Sequence, residues 1–161
     1  MGDGPEPGLT NSEKDLVRES WAPIKAEWKV HGIEYFIRLF KEYPYTQKYF
    51  KTFDNMEIDE IRASTKLRAH VINFKSGLNS LIKNLDEPEV LEILIQKLAE
   101  NHFRRNIKAA TFQKAFDLFI TYGKEVAQFD EKTCEAWAKT LKVVTSIIDG
   151  HQQTLSEPVG E

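Results

Sequence analysis

Apolar residues recur along most of the chain at spacings of three and four, with polar residues between them. In residues 67–81 this row consists of Leu67, Val71, Phe74, Leu78 and Leu81. Residues at this spacing lie on one face of an α-helix, because the helix has 3.6 residues per turn. No segment alternates apolar and polar residues between glycine-rich turns, as the strands of a hairpin would. The pattern therefore predicts an all-α protein.

Capping residues and prolines mark the ends of the first helices. Thr10 and Glu13 have the spacing of a capping box, so the first helix is predicted to begin near Asn11. A second helix is predicted from about residue 30 to residue 43, because Pro44 disfavours helical geometry in the residue before it. Pro44 itself suits the first turn of a short new helix. A loop with about one helical turn is expected at 49–60. A long helix is predicted at about 63–85, and the next begins at 86–88 with Asp86 as its N-cap. Two more long helices are predicted at 108–127 and at 131–149.

Length and composition are those of one globular domain. The chain has 161 residues, of which 41% are hydrophobic, enough for one substantial core. We predict a domain at 10–150, with flexible tails at 1–9 and 151–161.

Charge and cysteine content limit the kinds of binding partner and the cellular compartment that we expect. The chain has 22 basic and 25 acidic residues, a net charge of −3, and no basic run that would indicate nucleic acid or an anionic membrane as partner. No stretch has the character of a signal peptide or membrane span. Cys134 is the single cysteine, which excludes an intrachain disulfide, and we expect a cytoplasmic protein. Association into homo-oligomers stays open.

Two histidines end up on apolar helix faces. His70 lies within the row at 67–81, and His102 continues a row that runs through Leu91 and Leu98. His70 precedes Asp86 by 16 residues and His102 follows Pro88 by 14, so at about 1.5 Å per residue the two side chains lie roughly 24 and 21 Å from the turn. At nearly equal heights on paired helices, the imidazoles can face each other across a slot.

Packing and metal binding are both compatible with this pair. A lone histidine on an apolar face is more often a packed core residue, and this alternative stays open for both. Zinc requires three or four protein ligands, and no CxxC or HExxH spacing supplies the others. Haem requires only axial ligands and an apolar slot, so it fits the pair better. His31 and His151 lie near helix ends in charged surroundings, where we expect solvated roles.

Several separated segments, taken with Trp21 and Gly32, resemble the animal globin family, over about residues 9–150. They are FIRLFKEYPYTQKYFKTF at 36–53, LRAHVINF at 67–74, LAENHFRRNI at 98–107 and EAWAKTL at 135–141. The 32-residue separation of the two histidines resembles the spacing in neuroglobins and cytoglobins, within an intracellular invertebrate-type globin. The resemblance implies the globin fold, with about eight helices in a three-on-three sandwich around a haem pocket. It also implies haem b as cofactor and dioxygen and other diatomic gases as ligands.

The resemblance assigns roles to the two histidines. It places His102 as the proximal iron ligand, with its second ring nitrogen donating to the carbonyl of Leu98 or to Asn101. It places His70 on the distal side, either donating a hydrogen bond to the bound gas or ligating iron as the sixth ligand. It further places at the cofactor Phe36, Phe50, Phe53, Phe74, Leu98, Ile107, Phe112 and Arg105.

The sequence departs from the family pattern at three positions. Phe74 stands where a small aliphatic residue is frequent and Phe36 overhangs the gas site, so we expect a crowded distal pocket. Asn73 replaces a basic residue that often pairs with a haem propionate, a role that Arg104 or Arg105 would take over. Ordinary core packing explains the apolar residues of the set equally well.

The resemblance implies reversible dioxygen binding for storage or transport. The alternative is a six-coordinate globin, with both histidines on the iron, acting in redox or gas signalling or in nitric oxide scavenging. An enzymatic role is not expected beyond incidental nitric oxide dioxygenase or peroxidase activity, because no acid–base pair accompanies His70.

Overall fold

A computed structural model describes residues 8–156 of the chain. Within these residues it contains seven α-helices, two short 3₁₀-helices and no strand. The α-helices are α1 (Asn11–Ala26), α2 (Trp28–Glu42), α3 (Ile58–Arg62), α4 (Thr65–Lys83), α5 (Pro88–Phe103), α6 (Ala109–Val126) and α7 (Glu131–Ser156), and the 3₁₀-helices are Pro44–Tyr49 and Lys51–Phe53. The predicted all-α class is confirmed.

The predicted capping box at the start of α1 is present. The Glu13 amide donates to Thr10 Oγ1 at 3.1 Å, and the Thr10 amide donates to Glu13 Oε1 at 2.8 Å. These bonds satisfy two amides that have no partner inside the helix. Pro44 begins the first 3₁₀-helix, as its fixed φ favours.

The helices pack in two groups around one core. α7 packs against α1, α5 and α6, and α2 packs against α4. Trp21, Tyr35 and Trp137 are among the largest fully buried side chains. α2 and α4 approach closely at Gly32, where a Cβ would lie 2.7 Å from the indole of Trp28 and would clash with Val71.

The corner before α5 differs from the prediction, because Asp86 is not its N-cap. Glu87 occupies that position. The carboxylate of Asp86 instead accepts hydrogen bonds from Lys14 and Arg18 of α1, both at 2.8 Å. The carboxylate thus pairs with two cations of another helix instead of capping α5, and these pairs link α1 to the corner between α4 and α5.

The prediction of a flexible tail at 151–161 is wrong for residues 151–156, where α7 continues. Gln152 is buried, and its Nε2 donates to the Ala99 carbonyl at 3.1 Å and the Ile107 carbonyl at 3.0 Å. These long-range bonds hold the last turns of α7 against the end of α5. In the predicted tail at 1–9, Leu9 packs partly buried against the core; residues 1–7 and 157–161 lie outside the described residues.

The solvated roles expected for His31 and His151 are also wrong. Both side chains are half-buried and have partners. His31 Nδ1 lies 2.9 Å from the Tyr122 hydroxyl, and His151 Nε2 lies 2.7 Å from a carboxylate oxygen of Glu100. In the described residues, no helix is both long and apolar enough to cross a membrane.

Candidate functional site

The structure brings His70 of α4 and His102 of α5 to the same cavity. The cavity has a volume of about 840 Å³, which is within the range of small-molecule and cofactor sites. Phe50, Phe74 and Ile107 form apolar parts of its wall. The expectation that two paired helices would present their histidines to one slot is confirmed.

His102 is oriented by the helix that carries it. Its Nδ1 lies 2.8 Å from the Leu98 carbonyl oxygen one turn back. A carbonyl only accepts, so Nδ1 carries the proton and Nε2 keeps its lone pair. Burial lowers the pKa of His102, although the bond to Leu98 opposes this, and the imidazole is therefore neutral at neutral pH. A neutral ring with a free Nε2 is able to ligate a metal.

His70 is held by aromatic rings. Its ring centroid lies 4.7 Å from that of Phe36 and 4.6 Å from that of Phe50, with both rings nearly perpendicular to the imidazole. The pKa of His70 is lowered to about 4, chiefly by burial and also by repulsion from His102, when that ring is protonated, and from Arg105. Within residues 8–156 the imidazole makes no hydrogen bond. It therefore stands neutral in the cavity wall with donor capacity unused.

Phe74 and Phe36 crowd the His70 side of the cavity, as predicted. Phe74 stacks on Trp28 with 5.5 Å between centroids, and it meets the edge of Phe36 at 5.2 Å. Both phenylalanines, together with Phe112, line a smaller apolar space of about 100 Å³ that adjoins the two histidines. Phe74 thus contacts both Trp28 and Phe36 directly.

Two predicted residues lie behind the wall of the histidine cavity. Phe53 is buried against Phe50, with 5.4 Å between ring centroids. Leu98 takes part through its carbonyl. Tyr49, which the sequence analysis missed, lines the cavity. The 3₁₀ segment positions Tyr49, and no helical periodicity in the sequence reveals it.

Polar and basic side chains surround the cavity mouth. Asn73, Asn101, Arg104 and Arg105 all line it, and Arg105 Nη1 donates to the Asn101 carbonyl at 3.0 Å. Both candidate arginines are thus placed where the carboxylates of a cofactor would be neutralised.

The donor set fits haem and does not fit zinc. Among residues 8–156, no group of three or more His, Cys, Asp or Glu side chains is placed to hold a metal ion. Two imidazoles face one apolar cavity instead, and cations stand at its mouth. Axial nitrogens, an apolar slot and counter-charges for propionates are what haem requires.

Comparison with known proteins identifies the class. The Globin family model matches residues 33–148. A globin of Nerita albicilla is 30% identical over 149 residues, covering 91% of this chain and 95% of that protein. Globin-1 of Anadara inaequivalvis is 33% identical over 140 residues, covering 87% and 94% of the two chains. Crystallised ferric Aplysia limacina myoglobin has the same fold, with a TM-score of 0.83 at 23% identity, covering 93% of this chain and all of that one.

These matches define an all-α haem protein with the globin fold. The chain belongs to the globin family. Its cofactor is haem, and it binds dioxygen. The predicted family, cofactor and gas-binding function are confirmed.

Proposed function

We propose that His102 is the proximal iron ligand of this globin and that the protein binds dioxygen reversibly, for storage or transport, at a five-coordinate ferrous haem. The observation that carries the proposal is the hydrogen bond of 2.8 Å between His102 Nδ1 and the Leu98 carbonyl. It fixes the tautomer and the ring angle, and it makes the free nitrogen more basic.

The residues that line the cavity have different roles in this proposal. When bound, haem would supply ferrous iron, which can take a diatomic gas as ligand. Neutral His70 would donate a hydrogen bond to dioxygen held in the cavity. Phe50 and Ile107 cover the faces of the slot and exclude water, and Arg105 or Arg104 pairs with a propionate.

The alternative is that His70 itself ligates the iron and that gas must displace it. It rests on the 32-residue spacing of the histidines. The rings of Phe36 and Phe50, which both pack against the imidazole, favour the five-coordinate form, since they restrict the movement that ligation and displacement would require.

The visible absorption spectrum of the reduced, gas-free protein tests the proposal. We expect one broad visible band, the signature of five-coordinate iron. Two sharp bands would show six-coordinate iron and would overturn the simple storage function. The His70→Leu variant is the control, because it must give the broad band in either case.

We further propose that the protein acts in the cytoplasm. The support is the lone Cys134, a free and half-buried thiol, which is typical of a reducing compartment. Fractionation of source cells with an antibody against the chain tests the location, and recovery in a secretory fraction would contradict it. Analytical ultracentrifugation of the haem-loaded protein tests for homo-oligomers.

A further inference from the structure

The indole of Trp28, at the start of α2, makes two contacts with one turn of α4. Its Nε1 donates to the Val71 carbonyl oxygen at 2.7 Å, and this bond is buried. Its ring stacks on Phe74, with 5.5 Å between centroids and 10° between the planes. Val71 directly follows His70 in the sequence, and Phe74 lies one helical turn after it. One side chain of α2 therefore holds the turn of α4 that begins at His70.

The hydrogen bond to Val71 fixes the position of α4 against α2. A carbonyl inside an α-helix accepts the amide four residues on, and the second lone pair of its oxygen is able to accept the indole N–H. Trp28 and Val71 are each 2% exposed, so the bond is shielded from competing water. A hydrogen bond requires about 2.7–3.2 Å between donor and acceptor and near-linear geometry. Sliding or turning of α4 against α2 would break it.

The packing around the indole leaves it little freedom. A Cβ on Gly32, one turn further along α2, would lie 2.7 Å from the indole of Trp28. Trp21 of α1 meets the same indole edge-on, with 5.6 Å between ring centroids. The indole thus occupies the space that the glycine leaves, and its N–H is held in the direction of the Val71 carbonyl.

The side chain of His70 depends on its helix for its position. Within residues 8–156 the imidazole makes no hydrogen bond, and its ring contacts with Phe36 and Phe50 are less directional than a hydrogen bond would be. A shift of α4 along α2 therefore moves the imidazole within the cavity. A hydrogen bond that His70 donates to a gas weakens steeply with such a shift.

We propose that Trp28 is a positioning residue for His70, and that its bond to the Val71 carbonyl holds the imidazole where it donates to bound dioxygen. The inference rests on the proposed function, in which His70 lies on the gas side of the haem. Trp28 is not among the residues that line the histidine cavity or the smaller apolar space beside it. It acts through α4 and not by contact with the gas.

The variant Trp28→Phe tests the proposal, because it keeps an aromatic ring beside Phe74 and removes the indole N–H. We expect dioxygen to dissociate about threefold faster, since the hydrogen bond from His70 is weakened. For the same reason, the infrared stretching frequency of bound carbon monoxide should rise. Replacing Trp28 with benzothienylalanine, which has the shape of the indole but no N–H, should give the same result with less loss of packing.

Trp21→Phe is the matched control. Trp21 is as buried as Trp28, and its Nε1 donates to Asn79 Oδ1 of the same helix at 3.0 Å. Asn79 lies nine residues beyond His70. The control therefore removes the same kind of bond to α4 at a distant point, and we expect a similar loss of stability in urea with unchanged dissociation and infrared frequency.

A double-mutant cycle shows whether Trp28 acts through His70. The substitution His70→Leu alone should speed dioxygen dissociation, because it removes the donor to the gas. In the His70→Leu protein, Trp28→Phe should change neither the dissociation rate nor the infrared frequency any further.

Three results would overturn the proposal. If Trp28→Phe and Trp21→Phe give the same gas measurements while His70→Leu speeds dissociation, Trp28 is only a structural residue. If the effect of Trp28→Phe persists in the His70→Leu protein, the indole acts on the pocket without His70. If His70→Leu alone has no effect, His70 does not lie on the gas side, and the proposed function fails together with the inference that rests on it.

Discussion

The ring of Phe36 lies edge-on against His70, with 4.7 Å between the ring centroids and 76° between the planes. Phe36 in turn meets Phe74 edge-on at 5.2 Å, and Phe74 is stacked on Trp28. His70 is therefore the end of a packed aromatic chain. If His70 lies on the gas side of the haem, as proposed, we expect gas entry to depend on the freedom of those rings.

Replacing Phe74 with Val should speed gas entry. The smaller side chain removes the ring that supports Phe36, and we expect association of carbon monoxide, followed after flash photolysis, to become several-fold faster. Ile72→Val, on an exposed neighbour, serves as the control for general effects on α4. Unchanged association rates in Phe74→Val would show that crowding does not limit entry.

His102→Gly should lose haem much faster than the unchanged protein. The substitution removes the only imidazole oriented by Leu98, and we expect transfer of haem to an acceptor apoprotein to accelerate by about tenfold or more. Added imidazole should fill the space and slow the loss again. Retention of haem with an unaltered spectrum would refute the proximal assignment.

Local patterns predicted most of the fold because they depend on near neighbours in sequence. The capping box of Thr10 and Glu13 and the apolar row containing His70 follow from spacings of three and four. The height match of the two histidines follows from residue counts alone. These features required no knowledge of the other helices.

The predictions that were wrong concern side chains whose partners lie far away in the sequence. Asp86 has the local character of an N-cap, yet Lys14 and Arg18 from α1 take its carboxylate. Gln152 is a polar residue near the end of the chain, and its partners are backbone carbonyls of another helix and a loop. No local rule in the sequence reveals such partners.

Gln152→Ala should destabilise the protein by about 1–3 kcal/mol, because the buried Ala99 carbonyl and the part-buried Ile107 carbonyl would lose this donor. The Ala99 and Ile107 carbonyls lie on either side of His102 in sequence, so faster haem loss should accompany the lower stability. Urea unfolding and haem transfer measure the two effects. Gln153→Ala, at the exposed neighbouring position, should change neither, and equal effects of the two variants would contradict the role of Gln152.

Gly32→Ala should cost about 1–3 kcal/mol of unfolding free energy, because the new methyl group overpacks the α2–α4 contact. The clashing atoms belong to Val71 and to the indole of Trp28. Gly77→Ala is the control, since a Cβ there meets nothing within 4 Å, and it should stabilise α4 by about 0.5–1 kcal/mol. Chemical denaturation of both variants distinguishes a close helix contact from a general glycine effect, which would give both the same sign.

Glu13→Gln should make the stability of the protein less dependent on pH in the acid range. Hydrogen bonds from the Thr10 amide and from Lys139 hold the pKa of Glu13 below its ordinary value. A carboxyl group with a lowered pKa stabilises the fold above its unfolded-state pKa, and this contribution is lost as pH falls through the folded-state pKa. Gln keeps an acceptor for the Thr10 amide but removes the charge. We therefore expect the variant to be less stable at pH 7 and equal to the unchanged protein well below about pH 4.

Urea midpoints measured across this pH range check the expectation for Glu13. Glu19→Gln, in the same helix and without an ion pair in residues 8–156, is the matched control and should show no such convergence. If Glu13→Gln stays less stable than the unchanged protein at low pH, the lost stability comes from side-chain shape or helix propensity. The pair with Lys139 would then contribute nothing to anchoring α1 on α7, because only a charge-dependent term disappears when the carboxylate is protonated.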